Sequence, residues 1–274
     1  MQRPLSRRLT PVVPYKVLGL AALLGGLSLG SAAQSGTLAD ALGRDSVVNL
    51  HFRTYYFDRQ NPGDVTNAAW AAGGWIGYQS GWIADALRLG VVGYTSQRLW
   101  GPLDKDGSGL LAPEQQPYSV IGEAYASLKL WDQVLTGGRF QVYQPEIYGT
   151  DIRMTPITYS GGNLLGQLAG VDYYAAYLNA TKPRTSEDFQ NFTQAAGISG
   201  AEGEPMYLFG LAGQPMPDLA WKLSSYYVPN VISSTYADVS WLTPLSADYK
   251  LRLGGQLMAQ SSVGDRLLMG GEDF

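Results

Sequence analysis

The stretch SVVNLHFRTYYF, residues 46–57, places Val48, Leu50, Phe52 and Tyr56 on one parity and Asn49, His51, Arg53 and Tyr55 on the other. Successive side chains of a strand point to opposite faces, so this segment predicts a strand with one apolar and one polar side. The same alternation recurs over residues 68–79, 85–98, 118–130, 133–143, 171–182, 206–213, 220–228, 233–241 and 248–260, and more weakly over 162–168. These make eleven strands, and no helical period of useful length interrupts them. Two architectures accept such strands. A soluble sandwich turns the apolar face inward, whereas an outer-membrane barrel turns it outward to lipid and keeps a wet lumen.

The connections favour the barrel. Residues 58–67, 99–117, 144–161 and 183–205 form long links, while those near 80–84, 131–132, 169–170 and 242–247 are short. Long and short links alternate, as they do when one rim carries loops and the other tight turns. Trp82, Trp131, Trp221 and Trp241 all fall near the short-turn rim, which reads as an interfacial aromatic belt. On this reading Val48, Leu50 and Phe52 meet lipid, and Asn49, His51 and Arg53 face the pore.

Residues 1–33 read as a secretory leader. MQRPLSRRLTPVVPYK carries four basic residues and no acidic one, VLGLAALLGGLSLG is apolar, and Ser31, Ala32 and Ala33 supply small residues at a cleavage site after Ala33. The apolar run is shorter than the roughly 20 residues of a spanning helix. Residues 34–274 then form one barrel domain. Losing Arg3, Arg7, Arg8 and Lys16 takes 19 basic residues to 15 against 23 acidic ones, which argues against nucleic acid as a partner. With no cysteine and one histidine, neither a disulfide framework nor a thiolate or histidine metal site is expected, and no cofactor is implied.

Despite the net negative charge, the polar parities collect cations. Arg53, Arg88, Arg98, Lys129, Arg139, Lys222, Lys250 and Arg252 are expected to line the pore, against Glu123 and Asp238 in the same strands. Guanidinium and ammonium groups along a narrow channel stabilise carboxylates in transit, so small anionic or zwitterionic solutes are the expected cargo. The stretch GTDIRMTPITYSGG, residues 149–162, is neither strand nor plain surface loop. Pro156 removes a backbone donor, and Asp151 and Arg153 bring opposite charges together, so it is expected to fold inward as a constriction loop.

FRTYYFDR (52–59), DIRMTPITYSGG (151–162), AYLNATKPRTSEDFQNFTQAAG (176–197), STYADVSW (234–241) and AQSSVGDRLL (259–268) resemble the OprD family of outer-membrane porins. The resemblance covers most of residues 46–270. It implies a Gram-negative outer-membrane location, contact with outer-membrane lipid, and a monomeric barrel of about eighteen strands that admits small carboxylate-bearing solutes past an inward loop. Asp151, Arg153 and Pro156 match the loop motif. At roughly 22 residues per strand and connection, the chain supplies about eleven strands, so an incomplete barrel from the N-terminal part of a longer porin is expected.

Two other function classes fit parts of this pattern. A hydrolase built into a barrel would need His51 beside a serine and an acid, but no serine sits in a nucleophile-elbow context. A soluble exported β-domain that binds a ligand would show the same alternation with its faces reversed.

Overall fold

In the computed structural model the described residues are 37–272, except 64, 146, 148, 150, 199–201 and 247. The leader reading therefore falls outside them. Eleven strands form one antiparallel sheet in sequential order: β1 Val47–Gln60, β2 Thr66–Gln79, β3 Leu87–Trp100, β4 Tyr118–Leu130, β5 Gln133–Phe140, β6 Thr158–Leu168, β7 Val171–Lys182, β8 Met206–Met216, β9 Leu219–Val228, β10 Ile232–Pro244 and β11 Lys250–Ser262. Each strand pairs with its chain neighbour, and among the described residues no pairing joins β1 to β11. The sheet is an incomplete barrel with two free edges.

The register fixes the faces. Leu50 and Phe52 are 78% and 74% exposed, while His51 and Arg53 between them are half-buried. Leu87 pairs with Leu128 and Trp241 with Leu253 on the exposed apolar face. On the opposite face the connections of residues 101–117 and 141–157 fold back over β1 and β2. There Leu110, Leu111 and Met154 pack with Ala69 and Ala71 beneath Tyr55 and Phe57. A second buried cluster joins Phe140, Tyr159, Tyr174, Leu178, Phe192, Met206 and Leu208. The loop-covered side is the inner face. Aliphatic side chains left bare on the outer face are what a lipid-facing strand requires.

The outer face also carries aromatic rows at two levels. Near the short-turn rim Trp131 is 87% exposed and Trp241 45%. Toward the long-loop rim Tyr56 pairs with Trp70 and Trp70 with Trp100, and Tyr177, Tyr207 and Tyr227 stand in cross-strand register. This second row did not emerge from the sequence reading. Trp82 leaves the expected belt: its ring centroid lies 4.2 Å from the Arg88 guanidinium carbon, on the inner side.

One local correction follows from a β-bulge, and a second from the length of β1 and β2. Val92 pairs with Glu123 and Gly93 with Ile121, so Gly122 is an extra residue in β4. One inserted residue inverts the parity beyond it. Val120, expected with Leu128 on the outer face, turns inward, and Ser119 turns outward to meet the Thr95 hydroxyl at 2.8 Å. The link between β1 and β2 is short, residues 61–65, because both strands continue through polar residues.

Before β1, helix α1, Leu38–Leu42, docks against the β2–β3 turn: the Gly81 amide donates to the Ala41 carbonyl and the Tyr78 hydroxyl to the Leu42 carbonyl, each at 2.7 Å. Its Asp40 carboxylate accepts from the Thr37 hydroxyl and the Thr37 amide, and with Arg44 nearby its pKa is held below the ordinary aspartate value.

An inner face of cations and aromatic rings

Arg53 organises the inner wall of β1. Its two terminal nitrogens donate to the two Asp151 carboxylate oxygens, each at 2.7 Å, and one of them also donates to the Arg153 carbonyl. This bidentate pair is the geometry in which a guanidinium fork matches a carboxylate. It ties the connection of residues 141–157 to a strand about a hundred positions earlier in the chain. Arg153 itself turns away, over the Phe57 ring at 4.9 Å, and donates from Nε to the Ser108 carbonyl at 3.3 Å. Met154, Thr155 and Pro156 are buried, with Thr155 bonded to the Tyr118 hydroxyl at 3.0 Å and to the Arg184 carbonyl at 2.8 Å. The segment is thus seated by one ion pair and a buried hydrophobic heel.

Around Arg53 the wall is aromatic. His51 stacks on Trp75 with centroids 4.0 Å apart and planes inclined by 7°, and Trp75 meets Tyr94 edge-on at 6.1 Å. The Tyr94 hydroxyl donates to Glu123, which also accepts from the Gln141 side-chain amide at 2.8 Å. Glu123, an acid among expected cations, is therefore buried but satisfied. Among the described residues no serine or acid is bonded to His51; it is a ring in a stack.

The other expected cations divide. Arg88 pairs with Ser127 on the inner face, and Ser127 is buried against the Thr136 hydroxyl at 2.8 Å. Lys129 follows the same parity and is paired to Asp85 at 3.1 Å. Arg98 lies opposite inward Ala71 but is exposed. Lys222 stands opposite Asp238, which also receives the Gln256 amide at 3.2 Å, and Lys250 and Arg252 share the Gln256 parity on the free edge.

Arg139 is the exception. Thr136 bonds inward-facing Ser127, so Val134, Thr136, Gly138 and Phe140 form the inner row of β5, and Arg139 belongs with Leu135 on the outer face. There its guanidinium donates to the Ile121 carbonyl at 3.3 Å and covers the Phe189 ring at 4.4 Å. Both faces of β5 mix polar and apolar residues, so pairing with β4, not local alternation, decides its side.

A family model described as outer membrane porin, OprD family, matches residues 42–273. The fold is similar to that of solved porins. Pseudomonas aeruginosa OccK9 (OpdG) superposes with a TM-score of 0.73 at 23% identity over 85% of this chain and 62% of that one. Acinetobacter baumannii OccAB2 gives 0.73 at 21% identity over 85% and 60%. Pseudomonas aeruginosa OpdK, solved with vanillate, gives 0.69 at 20% identity over 83% and 60%. No curated protein matches the chain by sequence. The chain spans about 60% of the length of these solved relatives. Porins of this family are channels of the Gram-negative outer membrane rather than enzymes, which sets aside the barrel-embedded hydrolase. By its family match over residues 42–273 and its sequential antiparallel sheet, the chain belongs to the OprD family of outer membrane porins.

Proposed function

We propose that the inner face conducts small carboxylate-bearing solutes, anionic or zwitterionic, past the connection of residues 141–157. The observation that carries this reading is the Arg53–Asp151 pair: a carboxylate already sits bidentate on the inner wall, where the inward connection meets β1. A solute carboxylate offers the same two oxygens. Arg88, Arg98, Lys222, Lys250 and Arg252 extend a positive field along the same face, and the related OpdK was solved with an aromatic carboxylate, vanillate.

Liposome swelling with the reconstituted chain tests this. A carboxylate is expected to enter up to about tenfold faster than a neutral solute of equal size at low salt, with the difference shrinking as salt screens the field. Arg252→Gln combined with Lys222→Gln is expected to remove most of that preference. Arg139→Gln, on the outer face, is expected to leave it intact. Equal slowing of both solute classes by the inner pair of substitutions would contradict the electrostatic account.

A further inference from the structure

Helix α1 has five residues, well below the roughly 12 at which an isolated helix becomes marginal in water, yet it is held at both ends. At its start the Thr37 hydroxyl accepts from the Asp40 amide, and the Asp40 carboxylate accepts from the Thr37 amide. At its end the Ala39 and Asp40 carbonyls accept from the Gly43 amide, and the Asp40 carbonyl also from Asp45. The Ala41 and Leu42 carbonyls accept from the Gly81 amide and the Tyr78 hydroxyl. All four carbonyls that a helix end leaves open are therefore taken, two of them by the barrel.

Tyr78 also fixes the side of the wall on which this end lies. It pairs with Val48 and shares the parity of Ile76, which pairs with Leu50, so it belongs to the outer, lipid-facing row of β2. The end of α1 is thus tied to the outer side of the short-turn rim. The side chains of the helix are sorted to match. Leu38 and Leu42, one turn apart on one stripe, are 59% and 42% exposed, and Ala41 is buried. Asp40 lies on the opposite side, paired with Arg44 at 3.5 Å. Single leucines on a wet surface need no explanation, but these two stand at the end of a lipid-facing row, on a helix whose last carbonyls need no water.

We infer that α1 is an interfacial anchor, held by Tyr78, whose Leu38 and Leu42 enter the acyl boundary of the inner leaflet of the outer membrane while Asp40 and Arg44 stay among headgroups and water. Phospholipid is the occupant of this stripe, because the stripe is continuous with the face that the strands give to lipid. A short helix with one apolar and one charged side, lying in the plane of the interface, suits that position. The chain runs from α1 directly into β1 at Val47, so the anchor sets the depth at which the first strand enters the bilayer.

The test uses the full chain in phosphatidylcholine vesicles, with a bimane fluorophore on Leu38→Cys, Leu42→Cys or Arg44→Cys, each unique because the chain has no cysteine. Leu50→Cys on the outer face of β1 is the reference. One quencher is phosphatidylcholine brominated near the headgroup end of its acyl chains, and the other is iodide on both sides of the vesicle. Brominated lipid is expected to quench positions 38 and 42 at least about twofold more than position 44, and iodide to show the reverse order. Tyr78→Phe is expected to lower lipid quenching at position 42 and to leave position 50 unchanged. Iodide-dominated quenching at 38 and 42, with lipid-dominated quenching at 50, overturns the anchor alone. Weak quenching by both agents at 38 and 42 means that protein, such as a second copy of the chain, covers the stripe, and overturns it too. Unchanged quenching at 42 after Tyr78→Phe overturns the tether. No lipid quenching at 50 overturns the outward parity of β1 and the anchor with it.

Discussion

Gly74→Val is expected to cost about 4 kcal/mol or more and to unpair the β1–β2 hairpin. Gly74 has φ of +127°, a region that essentially only glycine occupies. An added Cβ would lie 2.0 Å from the His51 carbonyl oxygen and 2.9 Å from its carbon. Both atoms are backbone, so no side chain can rotate out of the way. Either the strands separate or β2 changes its twist, and both outcomes displace the His51–Trp75 stack and the Arg53 wall next to it. Urea unfolding followed by tryptophan fluorescence measures the effect. Gly137→Val is the matched control, because nothing lies within 4 Å of a Cβ there; its shift is expected to stay within about 0.5 kcal/mol. Equal shifts for the two substitutions would contradict the close approach at Gly74.

Arg53→Gln is expected to loosen the connection of residues 141–157 without unfolding the sheet. The side chain makes three hydrogen bonds to it, two to Asp151 and one to the Arg153 carbonyl. The pair is only partly shielded, with side-chain exposures of 21% and 40%, so its strength is well below that of a dry ion pair. About 2 kcal/mol is a reasonable share, which corresponds to roughly 30-fold faster amide exchange at Ile152 to Met154. Exchange in β10 is expected to stay unchanged. Arg98→Gln, an exposed inward cation with no ion pair among the described residues, is expected to leave the loop's protection as it is. Unaltered exchange after Arg53→Gln would mean that the buried heel of Met154 and Pro156 holds the segment alone.

The sheet was legible in the sequence because lipid and water impose opposite demands on adjacent residues. That conflict writes a period of two into every strand, and β4 and β7 match the expected ranges at both ends. β6 begins earlier than expected, at Thr158, because Tyr159 and Ser160 sit at the far side of a pairing irregularity that blurs the alternation. Bulges are where the reading fails. The extra residue at Gly122 costs nothing in composition, yet it exchanges Val120 and Ser119 between faces. Arg139 was misplaced for a related reason. Gln133, Leu135, Gly137 and Arg139 look more polar than Val134, Thr136, Gly138 and Phe140, so local polarity points the wrong way in β5, and the cross-strand hydroxyl contact between Ser127 and Thr136 orders the two rows.

The candidate site was half legible. The Pro156-bounded motif with Asp151 and Arg153 marked the inward segment, but its partner on β1 is almost a hundred residues away and leaves no local signal. The connection of residues 101–117 supplies Leu110 and Leu111 to the same packing, and the sequence marked that stretch only as a long link. Trp75 could have been found by extending the inner parity of β1 across to β2. Trp82 could not. A tryptophan beside a short turn fits an interfacial belt equally well, and only the position of Arg88 turns its ring inward.

The central claim is that one parity of these strands meets lipid and the other meets water and solute. The chain has no cysteine, so each introduced one is unique for spin labelling. Nitroxides at Leu128→Cys, Lys129→Cys, Arg252→Cys and Leu253→Cys, in chains reconstituted into lipid vesicles, compare collisions with oxygen, which dissolves in lipid, and with a water-soluble nickel chelate. The account predicts oxygen-dominated relaxation at positions 128 and 253 and chelate-dominated relaxation at 129 and 252. Reversed values, or the same value at all four positions, would contradict it.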